Sequence, residues 1–328
     1  MKRLLIALIL LTTLLASSAL PSLAQQTGAE QGSSQAAAPG SVLPQLYERG
    51  GTRLNSGDYE GAALDFSLFL LFNPTYSQGF FARALTQIAR DNHDAAITDL
   101  TSALAFAPQT SPRYLANLFG LRGQVYQQDG SFALALDDYT SALDLDPTGE
   151  NYANRGFLLA GARRFEEALA DFDSAAGLLP DIPLLALARA NLYAQMQDSS
   201  AEAAEILRYV NLIQTNVITA GELNTRGEAS IVEVTNGDVL LFTFEGEQGQ
   251  LTSVRAEPLT GNTIDPLLVL LDKDGIPLAA NDDANGSSLS AAIRQFELPA
   301  DGVYTVMLTH ALGGDTGRVS ITLILEEN

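Results

Sequence analysis

The sequence predicts a two-part fold: an all-α stack of helical hairpins followed by an all-β sandwich. Five arginines are each followed sixteen residues later by an acid, and these arginines recur at steps of 33 to 39 residues. From about Val217 the pattern changes to short apolar runs between Gly, Asn and Asp turns. A repeat period in the thirties is typical of stacked helical hairpins, and closely spaced short strands are typical of a sandwich.

The N-terminal residues resemble an export signal. Lys2 and Arg3 precede an apolar run, Leu4 to Leu15, and small residues lead to a small-x-small site that ends at Ala24. We therefore predict a signal peptide over residues 1–24 and a periplasmic, extracellular or cell-surface location in a bacterium. An uncleaved anchor helix is the alternative. Residues 25–42 are small and polar, which predicts a disordered linker.

Composition excludes several classes of protein. The chain has no cysteine, so disulfides, thiolate metal sites and a lipid anchor on cysteine are excluded. Its net charge is −21, and Lys273 is the only lysine after the signal peptide. Nucleic-acid binding needs a basic surface, so we expect none. No segment after the signal is apolar over the ~20 residues of a membrane span. The sequence does not decide the oligomeric state.

The Arg–acid pairs predict a structural ladder. We expect each arginine to lie on the first helix of a hairpin and its acid on the second. The guanidinium would then form a bidentate hydrogen bond with the carboxylate. The alternative is a row of arginines that binds anions, which the matched acids disfavour. The pairs are Arg49 and Asp65, Arg83 and Asp99, Arg122 and Asp138, Arg155 and Asp171, and Arg189 and Glu205.

The second helix of each repeat shows the clearest pattern. Small and large apolar residues fall at i, i+4 and i+7, as in Ala168, Phe172 and Ala175, which draws one stripe along a helix. Glycine marks the predicted hairpin turn at Gly57 and Gly130. A proline closes four of the units, because it cannot continue the helix. These prolines are Pro74, Pro108, Pro147 and Pro180.

Residues 43–216 resemble the tetratricopeptide repeat family. The family's small residue at the eighth position of each repeat has a counterpart in Gly50, Ala84, Gly123, Gly156 and Ala190. The fifth unit departs from the pattern, since Glu202 replaces the expected alanine and no proline follows. The resemblance therefore implies about four repeats and a degenerate fifth that caps the stack or leads into the next domain.

The resemblance also implies where a partner binds. The family uses the concave face of its first helices, so we expect a protein or peptide there. The matching residues mix apolar and amide side chains, without the basic clamp that some members use. They are Phe81, Leu85, Ile88, Asn117, Gln124, Gln127, Gln128, Glu150 and Phe157. An unoccupied or self-associating face is the alternative.

Eight strands are predicted in residues 217–328, in a sandwich of jelly-roll type. They cover Ala229–Val234, Val239–Phe244, Leu251–Ala256, Pro266–Leu271, Ile276–Ala279, Ala292–Leu298, Val303–Leu308 and Arg318–Leu325.

The sandwich region resembles the bacterial pre-peptidase C-terminal domain. The resemblance rests on the run from Asp265 to Gly275, the acids after Asn281, and the run from Leu298 to Val306. That family accompanies secreted peptidases and also other exported proteins. It is a non-catalytic β-sandwich, so the resemblance implies no peptidase activity in this chain.

Oxygen-bearing side chains cluster in the same region, and one interpretation of the cluster is a calcium site, with no other cofactor. Calcium prefers six to eight hard oxygen ligands. Turn chemistry is the alternative, because Asp and Asn accept hydrogen bonds from turn backbones. The candidate ligands are Asp265, Asp272, Asp274, Asp282 and Asp283, with Asn281 beside them.

Catalytic motifs are absent from the sequence. The two histidines are His93, at an expected packing position of the second repeat, and His310, near the end of a strand. No zinc-binding His-Glu-x-x-His, no Gly-x-Ser-x-Gly elbow and no phosphate-binding glycine loop occurs. We therefore predict a non-enzymatic exported scaffold that binds a protein or peptide. The alternative is an accessory protein that binds carbohydrate or a cell surface through the β-sandwich.

Overall fold

The computed structural model describes residues 42–261, 263–282, 289–311 and 316–327. The predicted signal peptide and residues 25–41 of the predicted linker lie outside these ranges. Within them the chain forms ten α-helices and then nine β-strands, which confirms the predicted fold class. The chain divides after Pro180 into two compact units. Among the described residues, no helix combines the length and apolar character needed to cross a bilayer.

The first unit consists of four helical hairpins, in which each odd-numbered helix pairs with the helix that follows it. Each hairpin also packs on the next through its second helix. The helices are α1 (Val42–Ser56), α2 (Tyr59–Phe72), α3 (Ser77–Ala89), α4 (His93–Phe106), α5 (Pro112–Gln128), α6 (Phe132–Leu145), α7 (Gly149–Gly161) and α8 (Phe165–Leu178).

Small residues let the two helices of a hairpin approach closely, as the sequence pattern predicts. A Cβ added to Gly123 on α5 would lie 3.0 Å from the ring of Tyr139 on α6. The same addition to Gly156 would lie 2.8 Å from the ring of Phe172. A larger residue at either position would therefore push the paired helices apart.

Each hairpin turn places one residue in the left-handed backbone region. Gly57 and Gly130 do so in the first and third hairpins, as predicted. Asp91 (φ 57°), Arg163 (φ 61°) and Gln197 (φ 63°) take the equivalent place in the other hairpins. The turn geometry is thus common to the repeats, although the glycine signal marks only two of them.

The second unit joins a fifth hairpin to the sandwich. The hairpin consists of α9 (Pro183–Met196) and α10 (Ser199–Ile213). One sheet has the strand order β1-β3-β8-β5-β6 and the other β2-β9-β4-β7. The strands are β1 (Asn216–Glu222), β2 (Ser230–Val234), β3 (Asp238–Gly246), β4 (Leu251–Pro258), β5 (Pro266–Leu271), β6 (Pro277–Asn281), β7 (Ala291–Glu297), β8 (Gly302–His310) and β9 (Gly317–Glu326).

Both faces of the five-stranded sheet are covered over its central strands. Its inner face contributes Phe242 and Leu270 to the core between the sheets. On its outer face, Val269 and Met307 belong to a core that includes Val210 of α10. Every residue of β5 is therefore buried. The fifth hairpin, which the sequence groups with the repeats, shares its compact unit and a core with the sandwich.

All eight predicted strands are present: the bounds of β5 are as predicted, and those of the others differ by at most two residues at either end. The sequence did not predict β1. This strand pairs in parallel with β3 and is exposed along its whole length, so it lacks the alternation of buried and exposed side chains that identifies a half-buried strand.

Candidate functional site

The structure brings together all five members of the Arg–acid ladder. In the first four pairs, Nε and Nη2 of the arginine donate to the two carboxylate oxygens at 2.5 to 2.9 Å. In the fifth pair, Nη2 of Arg189 lies 3.0 Å from Oε1 of Glu205. All five acids are buried. An ion pair therefore joins the two helices of every hairpin at the equivalent position. It is bidentate in the first four hairpins and has one contact in the fifth.

Charge is balanced within the ladder. Asp65 accepts hydrogen bonds from Arg49 and from Arg53, and these bonds hold the pKa of its carboxyl below the usual range despite burial. The bond to Asp138 raises the pKa of Arg122, and the bond to Asp171 does the same for Arg155. The guanidinium groups are neutralised by carboxylates, which supports a structural role over an anion-binding one.

A shallow cavity of ≈ 340 Å³ lies beside the fourth hairpin. Its charged lining is already paired: Arg155 bonds Asp171, and Arg164 bonds both carboxylate oxygens of Glu167 at 2.6 Å. A ligand anion would have to displace these carboxylates, so the cavity does not provide a ready anion site.

Two residues assigned to the binding face pack in the hairpin core instead. Phe81 is only 8% exposed and meets Tyr114 edge-on, with ring centroids 6.2 Å apart. Phe157 is only 3% exposed and meets Phe172 edge-on at 4.8 Å. Their helical phase matches the predicted face, but neighbouring helices cover both rings. Both rings therefore pack beneath the predicted binding face, and neither is accessible to a partner.

The other predicted residues of this face remain accessible. Asn117 and Gln128 are exposed, and the remaining members are half-buried. The half-buried members are Leu85, Ile88, Gln124, Gln127 and Glu150. We call the accessible surface of α3, α5 and α7 that these seven residues form the groove face. Amides and aliphatic side chains dominate it, with Glu150 as its single carboxylate.

One amide of the groove face is oriented by the core. The hydroxyl of Tyr139 donates to Oε1 of Gln127 at 2.9 Å. The amide nitrogen of Gln127 is then the group that can donate to a ligand, because each amide has one oxygen and one NH₂. A buried tyrosine thus fixes the polarity of one groove-face side chain.

Gly120 belongs to the same face and was not singled out from the sequence. It follows Asn117 by three residues and precedes Gln124 by four, so the three lie on one side of α5. A Cβ added to Gly120 would meet only Asn151 Oδ1, at 3.5 Å, an ordinary contact. Glycine within a helix costs about 1 kcal/mol relative to alanine. No neighbouring side chain requires this glycine, and its absent side chain leaves space above the middle of α5.

The predicted calcium ligands do not form one site. Asp265 precedes β5 and Asp272 follows it, so the strand separates them by roughly 23 Å at ~3.3 Å per residue. Asp272 Oδ1 accepts the backbone N–H groups of Asp274 and Ile276 at 2.9 and 2.8 Å, which is turn chemistry. Asp274 pairs with Lys273 at 2.6 Å.

Asp282 ends the described part of the loop after β6, and Asp283 lies outside the described residues. Within the described ranges, no three acidic or histidine side chains gather as a metal site would require. Asp265 and Asp272 therefore cannot bind the same ion, and a calcium site among the other candidate aspartates stays a prediction.

An acidic contact links α10 with the end of β6. Burial, and then the charge of Asp282, raises the pKa of Glu202 to about 7. The same two causes raise the pKa of Tyr209 to about 12. The exceptional Glu202 of the fifth repeat thus faces the sandwich and not another hairpin.

The histidines have structural surroundings. His310 is buried, and its Nε2 accepts the backbone N–H of Gly237 at 3.0 Å. That nitrogen is therefore occupied by a backbone group. His93 begins α4, with Nε2 3.3 Å from Asp91 Oδ1 in the hairpin turn.

The first unit has the fold of a helical-repeat protein, with amide and aliphatic side chains on its groove face. Residues 116–148, which contain the third hairpin's ladder pair, match the tetratricopeptide repeat family. Over 109 residues, 33% of this chain, the sequence is 30% identical to the human mitochondrial import receptor subunit TOM70. Over 69 residues, 20% of this chain, it is 44% identical to a probable subtilase-type serine protease of Deinococcus radiodurans. The matches span 18% and 9% of those two relatives.

Solved structures resemble the chain over about half of its length. The MamA fragment 41-end from Desulfovibrio magneticus RS-1 has a TM-score of 0.49 at 14% identity, covering 53% of this chain and 96% of that one. YrrB, described as a TPR protein with an unusual peptide-binding site, has a TM-score of 0.45 at 15% identity, covering 51% of this chain and 84% of that one.

Proposed function

We propose that the protein is an exported, non-catalytic scaffold whose groove face binds a polypeptide segment. The observation that carries the proposal is Gly120 in the middle of α5. It is a helical glycine whose added Cβ would meet only Asn151 Oδ1, at 3.5 Å, and it lies between Asn117 and Gln124 on the same side of the helix. Glycine permits close approach of a backbone, and flanking amides donate to and accept from peptide groups.

The chemistry of the groove face favours an extended, weakly charged segment. Its amides can hydrogen-bond a main chain in either direction, and Leu85 and Ile88 offer apolar contact at one side. The ladder arginines of α3, α5 and α7 are bonded to their acids and lend no positive charge for an acidic terminus. We therefore expect an internal peptide segment and not a C-terminal carboxylate.

The proposed export depends on residues 1–24, and the proposed role of the sandwich depends on its resemblance to the pre-peptidase C-terminal domain. The sandwich would then be a non-catalytic accessory unit.

Carbohydrate binding by the sandwich has less support. Sugar-binding platforms usually expose aromatic rings, whereas Phe242, Phe244 and Tyr304 are all buried and Phe296 packs partly buried against the same core. The sequence contains no other aromatic residue after Val217. The proposal therefore places the binding activity on the hairpins.

The test uses two leucine substitutions at helical glycines. Gly120→Leu fills the groove face, whereas Gly177→Leu places the same side chain in open space on α8. Peptides are selected on the wild-type protein from a displayed random library, and their affinities are measured by calorimetry for all three proteins. We expect Gly120→Leu to weaken binding at least tenfold and Gly177→Leu to leave it unchanged. Equal binding by all three, or no selected peptide, would remove the proposal.

A further inference from the structure

The outer face of α2 carries three exposed leucines. Leu64, Leu68 and Leu71 are 58%, 39% and 71% exposed. They occupy positions i, i+4 and i+7 and therefore form one stripe along the helix. We call these three residues the leucine stripe.

The opposite face of α2 is already occupied. Phe66, Phe69 and Leu70 are buried in the hairpin core, so the helix is apolar on both sides. A helix that is apolar all round is normally covered all round. The end unit of a repeat stack normally shows a polar outer face to water. The leucine stripe departs from both rules, which indicates that something covers it.

The repeat itself does not require these leucines. The equivalent positions of α4, α6 and α8 are exposed at the two ends of each set and half-buried in the middle, and they carry only small or polar residues. These equivalents are Thr98, Ser102 and Ala105 on α4, Asp137, Ser141 and Asp144 on α6, and Ala170, Ser174 and Gly177 on α8. The stripe is therefore specific to the first hairpin.

The stripe offers no exposed charge of its own: Asp65, between Leu64 and Leu68, is buried and bonded to Arg49 and Arg53. No charged residue occurs from Phe66 to Ala82, although the chain carries a net charge of −21. Before the stripe begins, Glu60 is bonded to Arg90 at 2.7 Å. Two copies of so acidic a chain repel each other over most of their surface, and an uncharged apolar strip is where they can meet.

We infer that the leucine stripe is a contact between two copies of this chain, with their α2 helices antiparallel about a two-fold axis near Leu68. Leucines at i, i+4 and i+7 suit a partner helix with the same spacing. A two-fold axis makes the stripe its own partner, with Leu64 facing Leu71 of the second copy. The antiparallel arrangement also keeps the two Glu60 side chains at opposite ends, whereas a parallel one would bring them together.

A bilayer is a poorer occupant than a second copy. Helices that lie in a membrane interface carry Lys and Arg on the face opposite their apolar one. Helix α2 has no basic residue, and its opposite face is buried in the hairpin. The contact is also small: three leucines provide less than the roughly 800 Å² per partner of a stable interface. The dimer is therefore reversible, with a Kd in the micromolar range or weaker.

Sedimentation velocity tests the dimer through a matched pair of variants. Leu71→Glu places a charge in the stripe, and Ala105→Glu places the same charge at the equivalent exposed position of α4. The full chain and the chain that begins at Gln25 are both measured from about 1 to 300 µM, a range that covers weak association. We expect dimerisation of both wild-type forms, at least a tenfold weakening by Leu71→Glu, and no change with Ala105→Glu.

Three outcomes would overturn the inference. Monomers at every concentration would do so, and so would equal dimerisation of wild type and Leu71→Glu. Association of the full chain alone would assign the contact to residues 1–24. Unfolding midpoints of both variants within the error of wild type would show that the fold is intact, which we expect because both sites are exposed.

Disulfide capture tests the geometry of the contact. The chain has no cysteine, so Leu68→Cys introduces a single thiol near the proposed axis, and Ser102→Cys places one at the equivalent position of α4. Under mild oxidation we expect Leu68→Cys to form a covalent dimer at least tenfold faster than Ser102→Cys. Equal rates would contradict the proposed axis.

Discussion

Arg83 on α3 donates from Nη1 to Ser67 Oγ on α2 at 3.2 Å, while its other nitrogens hold Asp99 within its own hairpin. The same arrangement recurs where Arg122 donates to Thr101 at 3.0 Å. A third link joins Arg155 to Thr140 at 3.5 Å. Each hydroxyl stands two residues after the ladder acid of the preceding hairpin. One guanidinium therefore joins the two helices of its own hairpin and also hydrogen-bonds the preceding hairpin.

Removal of a ladder arginine should destabilise the hairpins. Arg122→Ala leaves the buried carboxylate of Asp138 without its two-pronged partner, and an unpaired buried charge is expensive. We expect the free energy of unfolding, measured by urea titration, to fall by about 2–4 kcal/mol. Arg113→Ala on the same helix is the control, because that arginine is highly exposed and only 4.0 Å from Asp146. A loss no larger than the control's would refute the structural role.

Loss of the link between hairpins should have a smaller effect. Ser67→Ala removes the acceptor for Arg83 Nη1 and leaves the pair with Asp99 intact. We expect a loss of about 0.5–1.5 kcal/mol in the same urea titration. Ser102→Ala is the control, since its hydroxyl bonds only Thr98 O within α4. Equal effects of the two substitutions would mean that the inter-hairpin bond contributes nothing.

Stability of the second unit should fall as pH rises towards 7. The pKa of Glu202 is raised to about 7 from an ordinary value near 4.5, so folding retains a proton that the unfolded chain has lost. This contribution to stability is complete below pH 4.5 and is lost as pH rises through about 7.

Glu202→Gln should remove that dependence, because glutamine is neutral at every pH. At pH 8 we expect the variant to be more stable than wild type by on the order of 1 kcal/mol, after allowance for partial exposure of the side chain. At pH 4.5 the two should be equal. Thermal unfolding across this range checks the prediction, with the exposed Glu222→Gln as control; parallel curves for all three proteins would contradict it.

Relief of left-handed strain should stabilise the fifth hairpin. Gln197 has φ 63° at the end of α9, a conformation that glycine adopts without a steric penalty. We expect Gln197→Gly to raise the free energy of unfolding by about 0.5–1 kcal/mol. Gly57→Ala, at the equivalent position of the first hairpin (φ 82°), should lower it by a similar amount. Calorimetric midpoints that move in the same direction for both variants would exclude this explanation.

Sequence periodicity predicted the hairpins, their ladder and eight strands, because each of these features repeats or alternates along the chain. It could not predict that Phe81 and Phe157 lie beneath the groove face, since helical phase does not reveal which neighbouring helix covers a side chain. It missed the left-handed turns at Asp91 and Arg163 because neither residue is a glycine. For a related reason it could not show that Asp265 and Asp272 do not share a calcium site: they are close in sequence, but an extended strand keeps them far apart.

Because α10 and the five-stranded sheet share a core, a recombinant fragment cannot begin between them without exposing that core. A recombinant fragment that starts at residue 217 would expose Val269 and Met307 to water and should aggregate during expression. A fragment that starts at Asp181 keeps those side chains covered. In any fusion or domain exchange, the last pair of helices must be inherited together with the strands, even though its sequence resembles what comes before it.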